Sequence, residues 1–196
     1  MLIYHNRLIG VPVLSVQSGG PIGSVSDLII DPDNLQAIAF RLTGPLIDPS
    51  ADLLSTLSIR EYSSYGFIID SVDELVSASD VVKIQDVLSL NFNILTLKVE
   101  TRKGSKLGQI TDYTINSDTF EIQQIIVKRP LVKRLIDPEL TISRQEIVEV
   151  TDYKIIVKDE EKTLKSRAAK EDFVPNFVNP FRTSEPDYAP ADESKD

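Results

Sequence analysis

The stretch Pro21 to Phe40, PIGSVSDLIIDPDNLQAIAF, returns at Lys106 to Val127 as KLGQITDYTINSDTFEIQQIIV, and this duplication constrains the fold more than any other feature. At a single offset of 85 residues, Gly19 aligns with Gly104, Gly23 with Gly108, Val25 with Ile110, Asp27 with Asp112, Ile30 with Ile115 and Asp33 with Asp118. Self-similarity of this kind reads as two copies of one structural unit rather than one unique core.

Each copy reads as a β-hairpin: a glycine turn, an apolar strand, a polar tip and a second strand. The tips are Asp31-Pro32-Asp33-Asn34 and Asn116-Ser117-Asp118, where Asx side chains bond their own backbone and proline presets φ. Measured from tip to next apolar stretch, Asp31 to Ile38 against Asn116 to Ile125, the second hairpin is expected to be slightly longer. Gly23 and Gly108 precede the apolar run, where a positive φ or a close strand crossing excludes a Cβ. Asp27 and Asp112 are the tempting pair for acid/base work, but a hydrogen bond to a turn amide is the expected role of each.

The repeat runs on past the hairpins. Leu46-Ile47-Asp48-Pro49 returns as Leu135-Ile136-Asp137-Pro138, and Ser58-Ile59-Arg60-Glu61 is echoed around Arg144-Gln145-Glu146-Ile147. Late apolar strands, Gly66 to Asp70 and Tyr153 to Lys158, close each unit. Short strands at regular spacing in units this small suggest a small closed β-barrel. On these residues both halves resemble the PRC-barrel domain family, named for the photosynthetic reaction centre. The carrying pattern is the glycine, the alternating Val or Ile, the Asp two residues on, the polar tip and the Ile-rich strand. The resemblance covers about residues 6 to 74 and 93 to 158. It implies an all-β chain of two small PRC-type barrels in tandem, acting as a non-enzymatic protein-interaction or scaffolding module. The family also occurs in the reaction centre H subunit and at the C-terminal end of a small-subunit maturation factor. An RNA- or ribosome-associated assembly factor is therefore the alternative reading.

The expected organisation is barrel 1 at 1–75, a helical linker at 76–92, barrel 2 at 93–160 and a partly helical, then disordered, acidic tail at 161–196. Leu2 to Tyr4 and Val11 to Val16 are expected as first strands of barrel 1. Leu53, Leu54 and Leu57 suit a helical turn over its open end. In Ser77 to Leu90, Val81, Ile84, Val87 and Leu88 recur at helical spacing, with Ser77 or Ser79 as cap and Asn91 as stop, and the stripe is expected to pack between the barrels. Ile94 to Val99 alternates as the strand opening barrel 2. In the tail, Phe173, Phe177 and Phe181 form an apolar island, either a clasp onto the parent domain or a short motif for another protein.

Composition removes several function classes. There is no cysteine, so neither a disulfide framework nor a thiolate metal site can exist, which suits a reducing cytoplasm. No window reaches the roughly 18 apolar residues of a membrane helix. The net charge of −9 divides as −4 over residues 1–70, −3 over 71–94, 0 over 95–160 and −2 over 161–196. Nucleic acid is disfavoured overall, and any anion-attracting surface must lie in the second half. Its cations fall in two clusters, Lys98, Arg102, Lys103 and Lys106, then Lys128, Arg129, Lys133 and Arg134, the latter a candidate partner-binding group. His5, the only histidine, is expected as a surface or half-buried residue rather than a base. No catalytic, cofactor or metal site is assigned: Gly19 to Gly23 lacks the Lys-Ser/Thr of a phosphate loop, and Asp31, Asp33 and Asn34 fail as a calcium loop at Leu35. The expected partner is another protein.

Overall fold

The duplicated stretches become the two longest hairpins of an all-β chain. The computed structural model describes residues 1–130 and 138–159. In order these hold β1 (Leu2–Tyr4), α1 (His5–Leu8), β2 (Pro12–Ser15), β3 (Gly20–Asp31), β4 (Gln36–Thr43), β5 (Leu53–Ser55), β6 (Glu61–Ser63), β7 (Gly66–Ile69) and β8 (Leu75–Val76). There follow α2 (Val82–Ser89), β9 (Lys98–Thr101), β10 (Lys106–Asn116), β11 (Ile122–Lys128), β12 (Glu139–Ser143), β13 (Ile147–Val150) and β14 (Lys154–Val157).

The two halves have the same strand order. One sheet runs β6-β7-β2-β3-β4-β5 with β8 added beyond β5, and the other runs β13-β14-β9-β10-β11-β12. Both are mixed, because β2 lies parallel to β7 and β9 parallel to β14. Chain geometry forces curvature on them. Five strand spacings of about 4.8 Å put the ends of a flat path roughly 24 Å apart, yet the step from Ser143 to Ile147, joining the end strands β12 and β13, reaches at most about 14 Å. The closed barrel expected from the sequence is nevertheless not found: among the described residues no ladder joins β12 to β13 or β5 to β6. A 3-10 turn, Arg144–Glu146 in one copy and Thr56–Ser58 in the other, occupies that corner.

Several local expectations change. The hairpins are equal in length, since Ile30 faces Ala37 and Ile115 faces Ile122 at a constant offset of 85. The counterpart of Ile125 is therefore Phe40, not Ile38. Ser55 and Ser143, which precede the two 3-10 turns, are the true equivalents, so Arg144 matches Thr56 and not Arg60. Leu53 and Leu54 are buried strand residues, while Leu57 is 95% exposed and covers nothing. Ile94–Thr96 is a 3-10 turn before β9, although Leu97 and Val99 are buried as the alternation requires.

β1 departs furthest from expectation. It pairs antiparallel with β10 of the second sheet, Ile3 opposite Ile115, rather than opening the first. The long strand β10 has room on one edge for β9 at Lys106–Gln109 and for β1 at Thr114–Asn116. On the first sheet α2 covers the corresponding end of β3. Ile84 and Val87 pack on Ile29, Ala39 and Leu53, which explains why Leu28–Ile30 is continuously apolar: Leu28 and Ile30 face the main core and Ile29 faces the helix. The helical stripe is thus covered by one sheet rather than lying between two barrels. The helix starts at Val82 without a serine cap, and Asn91 (φ 50°) ends it as expected.

The halves meet tip to tip. Ala37 N–H donates to the Phe120 carbonyl (2.9 Å) and Ile122 N–H to that of Leu35 (2.8 Å). Residues 37 and 122, and 35 and 120, are separated by the repeat offset, so these bonds are copies of each other about a local two-fold axis. Leu35 (φ 48°) and Phe120 (φ 57°) both adopt the left-handed conformation. Bulky residues rarely accept it, and here it turns each tip towards the other. Phe120 then packs against Phe40 and Phe67 (ring centroids 5.6 and 6.1 Å), so one apolar core runs through both sheets.

Candidate functional site

The repeat aspartates hold the backbone of a bulge, not of a turn. Pairing slips between Val25 and Asp27 on β3, and between Ile110 and Asp112 on β10. At each slip the carboxylate accepts the amide of the next residue, Leu28 N–H for Asp27 and Tyr113 N–H for Asp112, both at 2.8 Å. A bulge disturbs the ladder locally, and a short acceptor on the same strand satisfies the donor it displaces. Gly23 and Gly108 serve the same crossing. A Cβ on Gly23 would lie 2.6 Å from the Thr43 carbonyl oxygen, and one on Gly108 would lie 2.0 Å from that of Lys128. Only Gly108 adds a positive φ, 148°.

Beside the two bulges lies a cleft of about 400 Å³, lined by His5, Asp27, Arg41 and Tyr113 together with apolar residues of α2 and β3. His5 is half-buried in α1, its ring 4.8 Å from that of Tyr113 and its Nδ1 3.9 Å from Asp112 Oδ1. Burial lowers the His5 pKa, and the charges of Asp112 and Asp27 oppose this. Tyr113 is 2% exposed, and burial holds its phenol well above the ordinary range, with Asp27 and Asp112 adding to the shift. The same phenol feels both repeat aspartates, so the tandem copies converge on it. Arg41 is neutralised by Asp52 at 2.5 Å. Ser26 donates its hydroxyl to the Arg41 carbonyl (3.1 Å), and among the described residues no hydroxyl is bonded to His5. The cleft therefore holds a histidine with a carboxylate neighbour and lacks an engaged nucleophile.

Sequence reasoning singled out Asp27, Asp112 and a surface or half-buried His5, which is half-buried, but not Tyr113 as their neighbour or the cleft. The available signal was an asymmetry: the residue after the repeat aspartate is Leu28 in one copy and Tyr113 in the other, a hydroxyl where packing asks only for an apolar side chain. Asp31 behaves as turn chemistry predicts, accepting from Asp33 N–H (3.0 Å) and from the Asn34 amide (3.2 Å), with Lys83 3.1 Å away.

The basic clusters come together only in part. Lys98, Gln109 and Lys128 stand opposite one another across β9, β10 and β11, all exposed, with Glu139 next in the row. Lys106 faces Glu100, which pairs with Lys154 (3.2 Å). The Arg129 N–H bonds the Pro138 carbonyl (3.1 Å). Lys133, Arg134, Phe173, Phe177 and Phe181 lie outside the described residues.

One further pair is exposed in both copies. Phe67 faces Val13 and Ile155 faces Val99, which makes Tyr65 and Tyr153 equivalents at the hairpin tips before β7 and β14. They are 78% and 68% exposed. Among the described residues no helix is long and apolar enough to cross a membrane. Neither protein-family models nor curated proteins give a match to this chain.

Proposed function

We propose that the chain is a non-enzymatic protein-interaction or scaffolding module made of two PRC-type barrels in tandem, working in the cytoplasm. The strand order common to the two curled sheets supports the tandem barrel, and the absence of cysteine supports the compartment. The observation that carries the functional reading is the pair Tyr65 and Tyr153. Many other residues identical in both copies have structural duties: glycines at turns and crossings, aspartates at bulges, serines at 3-10 turns, and Ile30 and Ile115 in the core. An aromatic side chain kept at an exposed tip in both copies has none, and tyrosine is favoured in protein interfaces.

The test is capture of partners by the tagged full chain from extract of its own cells. It is repeated with Tyr65→Ser/Tyr153→Ser, with the tail cut at Glu171, and after nuclease treatment. Loss of the captured protein in the tyrosine variant supports the reading, and loss on truncation moves the contact to the tail. A second reading, an RNA- or ribosome-associated factor, draws on the exposed Lys98 and Lys128 either side of Gln109. Loss of capture on nuclease treatment would favour it. Substrate turnover by the isolated chain would end the non-enzymatic reading.

A further inference from the structure

We propose that the cleft between α2 and the two bulges binds an organic monocation, a primary ammonium or guanidinium group on a short apolar stem. The Tyr113 hydroxyl is the first observation. The residue is buried to 2% exposure and lines the cleft, yet among the described residues its hydroxyl makes no hydrogen bond. Its oxygen is reached from the cleft rather than sealed in the core, so it is free to bond a ligand there while the ring stays fixed by packing. The second is the charge around it. Asp27 is exposed at the cleft and uses only Oδ1 on the backbone, leaving Oδ2 without a bond among the described residues. Asp112 sits behind His5, which burial disposes to be neutral. Because Arg41 is spent on Asp52, the cleft wall keeps one uncompensated carboxylate, Asp27, with Asp112 just outside the lining behind His5, and this charge repels an anion and attracts a cation.

Shape selects the stem. Val87 and Leu88 of α2 and Ile29 of β3 line the same space, so a few methylenes have apolar wall to lie along while the head group reaches Asp27 and Tyr113. This inference does not rest on the interaction-module reading. If no partner is captured in the extract experiment, the cleft chemistry still stands or falls on its own test.

That test follows the backbone amides of Leu28 and Tyr113 and the ring of His5 by NMR in the full chain. Butylammonium and agmatine are titrated against sodium butyrate and sodium chloride at matched ionic strength. The expected result is a saturable shift with the two cations only. Asp27→Asn should weaken it at least tenfold, and Tyr113→Phe by about tenfold, the usual size of a lost hydrogen bond to a charged group. Since the hydroxyl makes no internal bond, Tyr113→Phe should unfold at the same denaturant midpoint, which separates lost binding from lost structure. N-acetyl-lysine methylamide assigns the source: binding as tight as butylammonium fits a protein side chain, and binding by free amines alone fits a small metabolite. Shifts that sodium chloride reproduces, or unchanged affinity in both variants, overturn the proposal.

Discussion

Replacing Gly108 with alanine puts a methyl group where the Lys128 carbonyl oxygen lies 2.0 Å away, on a backbone whose φ is 148°. Two separable costs follow. Holding an L-residue in that region costs of order 1–3 kcal/mol. Forcing a methyl against the backbone of a paired strand costs about another 1–3 kcal/mol, because β11 must move and its ladder with β10 with it. Alanine restricts the unfolded chain and returns roughly 0.5 kcal/mol. The net expectation for Gly108→Ala is a loss of about 3–4 kcal/mol, a large part of the ~5–15 kcal/mol that holds a typical domain. Gly23→Ala is the internal control. It meets the Thr43 carbonyl at 2.6 Å and Cγ1 of the Ile47 side chain at 2.8 Å, without a positive φ. Only the crowding cost applies, so the loss should be about 1–2 kcal/mol. Urea unfolding followed by circular dichroism, with unchanged slopes in all three proteins, measures the difference. Equal losses, or a larger one at Gly23, would refute the claim that conformation rather than crowding separates the two crossings.

Arg144 donates to the carbonyls of Asn34 (2.5 Å), Leu35 (3.2 Å) and Ile122 (3.3 Å), strapping the second sheet to the tip of the first hairpin. Arg144→Ala should cost about 2 kcal/mol, read as a lower urea midpoint, and a midpoint within error of the parent would remove the strap from the account. Thr114 has a buried hydroxyl without a partner. Thr114→Val, which keeps the shape, should stabilise by about 1 kcal/mol, and destabilisation would mean that the hydroxyl is satisfied. His5 has a folded pKa below the ordinary 6.5, so the unfolded state takes up its proton first. Stability should therefore fall as pH drops through 6.5 and level off once pH is below the folded value. His5→Gln should abolish that component, and an NMR titration of this single histidine with a midpoint at or above 6.5 would sink the assignment.

The curl and its repetition were legible because they depend on local choices. Gly19 and Gly104 both take positive φ, 69° and 81°, and the Asx tips form the turns that their residue types favour. The hairpin lengths were misjudged at Ile38 because apolar spacing was counted from the tip, whereas register is counted across the ladder. Leu53 and Leu54 looked helical for a similar reason: three leucines at short spacing do not tell a buried strand followed by a turn from one turn of helix. His5 and Tyr113 were not readable as neighbours, since 108 residues separate them.

Sequence alone determined two copies of one strand-rich unit, because glycine, Asx and alternating apolar residues act on their immediate neighbours. Tertiary structure decided where β1 and α2 were spent, which tips met, and that Asp27, His5 and Tyr113 shared one cleft with Asp112 behind it. Those outcomes depend on which exposed edge and which apolar face are left uncovered once each sheet has formed. No local pattern encodes that, since it is a property of both folded surfaces together.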